Sequence, residues 1–357
     1  MSTESSSPRE AYMSSKTNRR RVFVSAPDVV EIVNEALPAL APGEALVRMS
    51  ACGICGSDKA GAHGEHVFFK PPYYPGHEVV GVVLELLHDA TGLRVGDRVT
   101  IEPTLICGHC KPCRNGAENL CENLEFFGCG FREGGMADVF AVRADRLHRV
   151  PDGFTDRQAA LIEPLATPVH AVRLVGDLRG KAVAVLGAGT IGLLTLVAAR
   201  YAGARKVVST DPLANKRQMA LELGADAAVD ATVEDLAGTV RGELGESADV
   251  VFDCVSHQST LESAVKMAIK GGVVGVVGGP RRPVTLDLPV LQEYQIRLQG
   301  CATYRARDFD QAVAIISSGA FDADRLVTST FPLTKAADAF AAISSGREAK
   351  ILVLAEN

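Results

Sequence analysis

The sequence lacks three features, and each absence bears on what kind of protein it encodes. It has no excess of basic residues: 37 Lys and Arg stand against 43 Asp and Glu, and a net charge of −6 disfavours nucleic acid as the main partner. It has no internal repeat, which disfavours a solenoid or propeller. The first 21 residues are rich in Ser and lack the apolar core of a signal peptide, so we expect a flexible tail over residues 1–20.

Long uncharged runs are also scarce. Residues 182–199 carry no charge, but Gly187, Gly189 and Gly192 interrupt them, which predicts a strand and a helix rather than a membrane span. With 47% hydrophobic and 22% charged residues, the composition is that of a globular protein, and 357 residues suffice for two domains. We expect no membrane partner and a cytoplasmic location, where the nine cysteines stay reduced.

Four of those cysteines form the most informative feature of the chain. Cys107, Cys110 and Cys113 are spaced by three residues, and Cys121 follows eight residues later. Four thiolates in one short run can surround a tetrahedral cation, which predicts a structural zinc site. A disulfide cluster is the alternative, but adjacent Cys-x-x-Cys pairs make poor long-range crosslinks. His109 lies inside the run and could replace a thiol, although four cysteines already complete the shell.

The pattern of hydrophobic residues changes along the chain. Between residues 21 and 150, short β-like runs are separated by Gly and Pro, which predicts an all-β, partly barrel-like domain. From about residue 170, apolar runs such as 183–186 and 206–210 alternate with segments of helical spacing. That alternation is typical of a parallel sheet with helices on both faces.

A nucleotide site is predicted where the second pattern begins. Gly187, Gly189 and Gly192 form Gly-x-Gly-x-x-Gly between a predicted strand and a predicted helix, an arrangement that holds a pyrophosphate at the helix N-terminus. The next predicted strand ends in Asp211, 22 residues after Gly189. A carboxylate there accepts hydrogen bonds from the ribose and favours NAD over NADP. Lys216 could approach the same ribose, or it could be a solvated helix lysine.

Further metal-capable side chains lie outside the four-cysteine run. They occur in Cys52-Gly-Ile-Cys55-Gly-Ser57-Asp58 and in Gly76-His77-Glu78. Glu163 is an acid in the otherwise apolar segment Leu161-Ile-Glu-Pro-Leu. A buried carboxylate needs a partner, and a metal ion is one such partner.

Taken in order, these motifs resemble those of the zinc-dependent medium-chain alcohol dehydrogenases, and most closely the polyol branch of sorbitol dehydrogenase relatives. The resemblance covers Arg21 to the C-terminus. It implies an α/β chain with a GroES-like, partly open β-barrel catalytic domain (residues 21–171 and 304–357). It also implies a Rossmann domain, a doubly wound parallel sheet, that binds NAD (residues 172–303). Relatives assemble through the nucleotide domain, so we expect a homodimer or homotetramer.

The same resemblance implies a second, catalytic zinc in each subunit. Cys55 and His77 would bind it, and the third protein ligand would be either Glu78 or Glu163. Such a site leaves a position open for the oxygen of the substrate. The implied reaction is hydride transfer from a secondary alcohol or polyol-like hydroxyl to NAD, giving a ketone.

Other roles follow from family position. Ser57 would take up the alcohol proton, and Glu163 would bind the metal or its water. Thr167 and Ile191 match residues that pack on the nicotinamide ring. Cys52 matches no ligand position and is interpreted as a packing residue.

The sequence departs from the family pattern at two places. Ala60 stands where a histidine often ends the proton relay, which leaves Lys59, His63, His66 or bulk water as the acceptor. Ala302-Thr303-Tyr304 stands where polyol dehydrogenases read Phe-Arg-Tyr, so we do not expect sorbitol itself to be the substrate. Two other functions stay open: a dehydrogenase of β-hydroxy amino acids such as threonine, and a non-catalytic nucleotide-binding or redox-sensing protein.

Overall fold

The computed structural model describes residues 18–87 and 91–356. Its strands, in chain order, are β1 (Asn18–Ala26), β2 (Val29–Ala36), β3 (Glu44–Ile54), β4 (Glu78–Leu86), β5 (Arg98–Ile101), β6 (Thr104–Leu105), β7 (Glu125–Phe126), β8 (Val139–Arg143), β9 (Leu147–Arg149), β10 (Ala182–Leu186), β11 (Lys206–Asp211), β12 (Ala227–Asp230), β13 (Ala248–Asp253), β14 (Ala268–Val276), β15 (Arg297–Gly300), β16 (Val327–Pro332) and β17 (Lys350–Leu354). Its α-helices are α1 (Gly56–Ala62), α2 (Lys111–Arg114), α3 (Asp156–Ala159), α4 (Ile162–Val175), α5 (Thr190–Tyr201), α6 (Ala214–Glu222), α7 (Leu236–Leu244), α8 (Gln258–Met267), α9 (Leu288–Glu293), α10 (Ala306–Ser317) and α11 (Ala336–Ser344).

The described part forms two compact units. One holds the residues up to Glu163 together with those from Val327 onward, and the other holds Pro164–Leu326. Residues 164–171 and 304–326 therefore make most of their contacts within the second unit. The domain boundaries drawn from the sequence, after residues 171 and 303, stay a prediction.

The first unit is built around β3. This strand pairs antiparallel with β4 along one edge, while its first half pairs with β8 and its last residues pair with β17 along the other. Together with β5, β9 and β16 they form one seven-stranded sheet. Most of β3 is buried in the hydrophobic core of this unit. The predicted all-β, partly barrel-like organisation is confirmed, and the carboxyl end of its central strand leads directly into Cys55.

The chain enters this unit earlier than the predicted tail allows. Strand β1 begins at Asn18, so residues 18–20 are not part of a flexible tail, and residues 1–17 lie outside the described residues. The guanidinium groups of Arg19 and Arg21 are buried. Each forms ion pairs with both Glu35 and Glu133, at 2.5–2.9 Å. A basic run that reads as a solvated tail is buried because two carboxylates neutralise it.

The second unit is a parallel sheet. Its six strands lie in the order β12-β11-β10-β13-β14-β15, and every neighbouring pair is parallel. The connecting helices are α5 to α9, as the alternation of apolar runs predicts. This strand order reverses direction at β10, the position at which doubly wound folds bind dinucleotides. The predicted Rossmann architecture is confirmed.

The uncharged run that resembles a membrane span in length is divided as predicted. It forms β10 and most of α5, which are separated by the glycine turn. No helix among the described residues is long and apolar enough to cross a membrane.

The buried ion pairs of β1 give a stability prediction. Replacing Glu133 by Ala leaves Arg19 and Arg21 with Glu35 as their shared carboxylate, and we expect the free energy of unfolding to fall by about 3 kcal/mol. Asp338→Ala removes the exposed partner of Lys335 and is the control, with an expected loss below about 1 kcal/mol. Chemical denaturation measures both. Equal, small losses would show that the buried network adds no stability.

Candidate active site and metal centres

The four-cysteine run folds into one thiol cluster. The sulfur atoms of Cys107, Cys110, Cys113 and Cys121 all lie within 4.8 Å of one another, and the Sγ atoms of Cys110 and Cys121 are 3.9 Å apart. Short strands β6 and β7 pair on either side and close the loop. All nine cysteines of the chain lie in the described ranges and are free thiols. The arrangement fits one tetrahedral metal ion held by four sulfurs.

Backbone hydrogen bonds prepare this cluster for a cation. The amide N–H groups of His109 and Cys110 donate to Cys107 and lower the pKa of its thiol to about 6. Amide N–H groups of Cys107 and Asn123 donate to the sulfur of Cys121, at 3.3 and 3.4 Å. The imidazole of His109 is exposed, and its Nδ1 bonds to the carbonyl of Cys107, at 2.8 Å, rather than joining the sulfurs.

A second metal-capable cluster lies at the end of β3. Cys55 caps the short helix α1, and His77 precedes β4, the antiparallel neighbour of β3. The ligand atoms of Cys55, His77 and Glu78 lie within 4.8 Å of one another. His77 and Glu78 are 3% and 0% exposed. Pairing of the two strands thus brings together motifs that lie more than twenty residues apart in the sequence.

Glu78 already has a strong partner in this cluster. The ammonium group of Lys350, at the start of β17, donates to both carboxylate oxygens of Glu78, each at 2.6 Å, and to the carbonyl of Ile54. Burial would lower the pKa of Lys350, but the negative charges of Glu78, Cys55 and Glu163 raise it overall. Lys350 is therefore a buried cation among the predicted ligands, a feature that sequence reasoning missed.

His77 faces a second set of groups on its Nδ1 side. The sulfur of Cys129 lies 3.3 Å from this nitrogen and Oδ1 of Asp58 lies 3.7 Å from it. The other oxygen of Asp58 accepts a hydrogen bond from the amide of Cys55, at 2.9 Å. Sequence reasoning assigned no role to Asp58 and did not consider Cys129, whose only local signal is its position between two glycines.

Ser57 and Glu163 are the remaining predicted groups of this centre. Ser57 is half-buried in the first turn of α1, two residues after Cys55. Glu163 is 5% exposed in the first turn of α4, and its charge acts on Lys350. Both carboxylates named as alternative ligands are thus buried in the neighbourhood of Lys350, and both oxygens of Glu78 accept hydrogen bonds from its ammonium group.

The three side chains considered as proton acceptors lie in different surroundings. His63 is one-third exposed, with Nδ1 2.5 Å from Asp28 and Nε2 3.2 Å from the hydroxyl of Ser344. Lys59 donates to the carbonyl of Ser344, and the ring of His66 lies against Phe69. Ala60, which follows Lys59 in the sequence, is buried. The ring of His63 is thus held by a carboxylate and a hydroxyl while one-third of it is exposed.

The glycine turn of the second unit has the form expected for a pyrophosphate site. A Cβ atom added to Gly192 would lie 1.7 Å from the carbonyl oxygen of Gly187, so the helix must approach the strand closely there. A Cβ added to Gly189 would meet no protein atom within 4 Å. Gly189 therefore leaves open space at the N-terminus of α5, the space in which a phosphate group would lie.

Asp211 is tied to this turn. Its Oδ2 accepts a hydrogen bond from the amide of Ala188, and its Oδ1 accepts one from the amide of Leu213, both at 2.9 Å. Arg217, missed by sequence reasoning, donates to the carbonyls of Asp211 and Pro212 and pairs with Asp230. The carboxylate is thereby fixed beside the glycine turn.

The other predicted nucleotide-site residues lie in the same unit. Lys216 is 3% exposed in α6, so it is not a solvated helix lysine. Ile191 is half-buried in the first turn of α5, and Thr167 is half-buried in α4. Thr303, at the departure from the polyol pattern, has a left-handed backbone with φ of 50°, and its hydroxyl has no hydrogen-bond partner among the described residues.

Two family profiles cover most of the chain. The alcohol dehydrogenase GroES-like domain matches residues 41–152, and the zinc-binding dehydrogenase family matches residues 190–318. Sorbitol dehydrogenase of Bombyx mori is 33% identical over 337 residues, which cover 92% of this chain and 96% of that protein. The chain belongs to the zinc-dependent medium-chain alcohol and polyol dehydrogenases.

Solved structures of this family superpose along nearly the whole chain. A protein described as a zinc-binding dehydrogenase from Sinorhizobium meliloti, bound to NADP, is 31% identical with a TM-score of 0.87, over 95% of this chain and all of that one. The 2R,3R-butanediol dehydrogenase of Bacillus subtilis is 28% identical with a TM-score of 0.86, over the same shares. This medium-chain dehydrogenase is an oxidoreductase of alcohol groups that uses zinc and a nicotinamide cofactor.

The glycine turn gives a matched pair of variants. Gly189→Ala adds a methyl group in open space, so we expect stability to change by less than about 0.5 kcal/mol. The same methyl group would displace the pyrophosphate and raise the KM for the cofactor about tenfold or more. Gly192→Ala forces the turn apart and lowers stability by about 2 kcal/mol. Thermal unfolding and initial rates separate the two; a destabilised Gly189→Ala with normal KM would contradict the assignment.

Proposed function

We propose that this medium-chain dehydrogenase oxidises a secondary alcohol or polyol-like hydroxyl to a ketone, with NAD as the hydride acceptor and two zinc ions in each subunit. One observation carries the proposal. The chain combines a metal-capable group, made of half-buried Cys55 with buried His77 and Glu78, with a separate four-sulfur cluster and a glycine turn anchored by Asp211. The first and the third of these parts would serve hydride transfer to a nicotinamide at a metal centre, and the four-sulfur cluster would hold the second, structural zinc ion.

The residues of the centre fit a zinc ion. Thiolate, imidazole and carboxylate are the donors that zinc prefers, and a site with three of them keeps one position open. When bound, the metal supplies Lewis acidity toward the alcohol oxygen, and NAD supplies the hydride acceptor. The sulfur of Cys55 and the imidazole of His77 are the first two donors in this proposal.

We infer that the third protein donor is Glu78 or Glu163, and the two differ in what ligation would cost. Both oxygens of Glu78 accept hydrogen bonds from Lys350, so ligation by Glu78 would require breaking a fully buried ion pair. Breaking such a pair costs several kcal/mol because a charge is left buried without its partner. Glu163 is buried in the same surroundings, and its charge also acts on Lys350.

The proton of the alcohol leaves through this chain's own groups. Ser57, which follows Cys55 in the first turn of α1, would accept this proton at Oγ as its own hydroxyl proton passes to the ribose hydroxyl of the cofactor. With Ala60 at the position of the usual relay histidine, His63 is the proposed route to solvent, since its ring lies at the surface beside Asp28. Transfer to bulk water is the alternative.

NAD is the proposed cofactor because of the charge beside the glycine turn. A carboxylate at Asp211 accepts hydrogen bonds from the ribose hydroxyls and repels a 2′-phosphate. The guanidinium of Arg217, which could otherwise neutralise such a phosphate, is held by Asp230 and two backbone carbonyls. A carboxylate at this position therefore favours NAD even though one relative was solved with NADP.

The substrate is proposed as a class. Sorbitol dehydrogenase and 2R,3R-butanediol dehydrogenase, as named, act on polyol and diol substrates, which supports a vicinal or secondary hydroxyl here. A threonine-type amino acid dehydrogenase is not favoured, since the named relatives are polyol and diol dehydrogenases. A non-catalytic protein is not favoured, since the predicted metal-capable residues are all present. Thr303, in place of the usual arginine, supports a substrate other than sorbitol.

A homodimer or homotetramer in the cytoplasm is proposed for the assembled enzyme. Strand β15 ends the order of the six-stranded sheet, and Leu298 on it is 38% exposed. An edge strand with an exposed apolar residue is a ready surface for pairing with a second copy. None of the nine cysteines forms a disulfide, which supports a reducing compartment.

Two matched substitutions test the two metal centres. Cys55→Ser should lower the zinc content from two ions to one and reduce kcat about a thousandfold, with normal thermal stability. Cys113→Ser should also lower the zinc content to one ion. Its main effect should be a lower thermal stability, because the lost ion crosslinks a loop. Metal analysis, thermal unfolding and NADH formation from a panel of polyols, secondary alcohols and threonine measure this. Full turnover by Cys55→Ser would overturn the proposal.

Cofactor preference is tested at Asp211. Asp211→Asn removes the charge that binds the ribose and repels a 2′-phosphate, so the ratio of kcat/KM for NAD over NADP should fall about 10- to 100-fold. Asp226→Asn is the control, because Asp226 bonds to the amide of Val207 at the opposite end of β11. An unchanged ratio in Asp211→Asn, or a preference of the unmodified enzyme for NADP, would contradict the assignment.

A further inference from the structure

The imidazole of His77 lies between two different sets of side chains. Cys55 and Glu78 form one set of possible ligand atoms with it, and Asp58 and Cys129 form the other. Nδ1 is the nitrogen that faces the second set. If His77 binds the metal together with Cys55, Nε2 is the nitrogen left for the metal, and Nδ1–H must donate to a neighbour.

Cys129 is the neighbour within hydrogen-bonding distance. Its sulfur lies 3.3 Å from Nδ1, which suits the larger radius of sulfur. Oδ1 of Asp58 lies 3.7 Å from the same nitrogen, too far for a hydrogen bond to oxygen, and it has no partner among the described residues. The carboxylate therefore adds a negative charge beside the ring, while the sulfur provides the direct contact.

The loop that carries Cys129 is built against the histidine. A Cβ atom on Gly128 would lie 2.3 Å from the carbonyl oxygen of Gly76, so the two backbones touch immediately beside His77. The amide of Gly128 donates to the carbonyl of Glu133, and that of Cys129 to the carbonyl of Phe126. The ring of Phe126 meets the imidazole edge to face, with centroids 5.6 Å apart.

We propose that Cys129 is a positioning residue of the catalytic metal centre, whose sulfur accepts the Nδ1–H of His77 and directs Nε2 to the metal. The inference rests on the proposed function, because it takes His77 as a metal ligand. A hydrogen-bond acceptor behind a ligating histidine fixes both its tautomer and its ring orientation. The thiol of Cys129 provides the hydrogen-bond acceptor, and the carboxylate of Asp58 provides a negative charge beside the same ring.

The test compares variants that keep or remove the polar atom. Cys129→Ala should weaken zinc binding at the catalytic site about 10- to 100-fold in a chelator competition, the usual effect of losing a partner behind a metal ligand. Cys129→Ser retains an acceptor and should stay within about threefold of the unmodified protein. Cys129→Val, which fills the space without a polar atom, replaces the Ala variant if that variant does not fold. Cys301→Ala is the matched control, since its buried thiol donates to the carbonyl of Gln299 in the second unit.

Cobalt substitution separates positioning from ligation. The sulfur-to-cobalt charge-transfer band of the catalytic site should keep its intensity per cobalt in Cys129→Ala, because Cys55 remains the ligand. A weaker band would show that Cys129 binds the metal itself. If the unmodified protein binds three metal ions and Cys129→Ala binds two, a metal ion lies between Asp58, His77 and Cys129. Either result overturns the inference, as does equal zinc affinity in all variants.

The unmodified protein and Cys55→Ser distinguish the two levels of the argument. If Cys55→Ser retains two zinc ions, the catalytic site is not where we place it, and both the proposed function and the inference are wrong. If Cys55→Ser loses one ion while Cys129→Ala binds zinc normally, the proposed function stands and the role of Cys129 alone is rejected.

Discussion

Two oppositely charged side chains with almost no exposed surface, Lys350 and Glu78, constrain the whole metal centre. Either charge alone would be costly to bury, so the strands that carry them must hold them together. β17 carries Lys350 and pairs with the end of β3, and β4 carries Glu78 and pairs with the other edge of the same strand. Strand β17 thereby contributes to the catalytic centre that we propose, although it lies far in sequence from the Cys55 and His77 motifs.

This ion pair also organises the donors around it. It engages the carboxylate of Glu78 beside Cys55 and His77, the first two donors of the centre that we propose. On the opposite side of His77, Asp58 links the amide of Cys55 to the Nδ1 face of the ring, where the loop of Cys129 lies. The histidine is supported from behind while its other nitrogen remains available, which is what a preorganised metal site requires.

The second unit reaches its function by a different route. The cofactor site that we propose there depends on strand order and on the absence of side chains at Gly189 and Gly192, and Asp211 is the proposed source of its specificity. Asp211 is anchored by two amides, so its position does not depend on the ligand. The same carboxylate that holds the glycine turn in place is therefore available to choose between cofactors.

The sequence by itself determined the elements whose signals are local. Thiol spacing marked the four-sulfur cluster, the glycine pattern marked the turn before α5, and continuous apolar runs marked β10, β11, β13 and β14. Strands with mixed exposure such as β2 and β15 gave no such signal, because half-exposed short strands lack a continuous apolar run.

Tertiary structure decided what depends on pairing between distant segments. Arg19 and Arg21 can be buried because the fold places the carboxylates of Glu35 and Glu133 in ion-pair contact with them. Lys350 and Cys129 join the metal centre through strand pairing and a loop contact, which no local spacing encodes. Spacing along the chain specifies which residues are able to bind a metal or a cofactor. Long-range pairing and the cost of burying charge specify which of them come together and which are held in ion pairs.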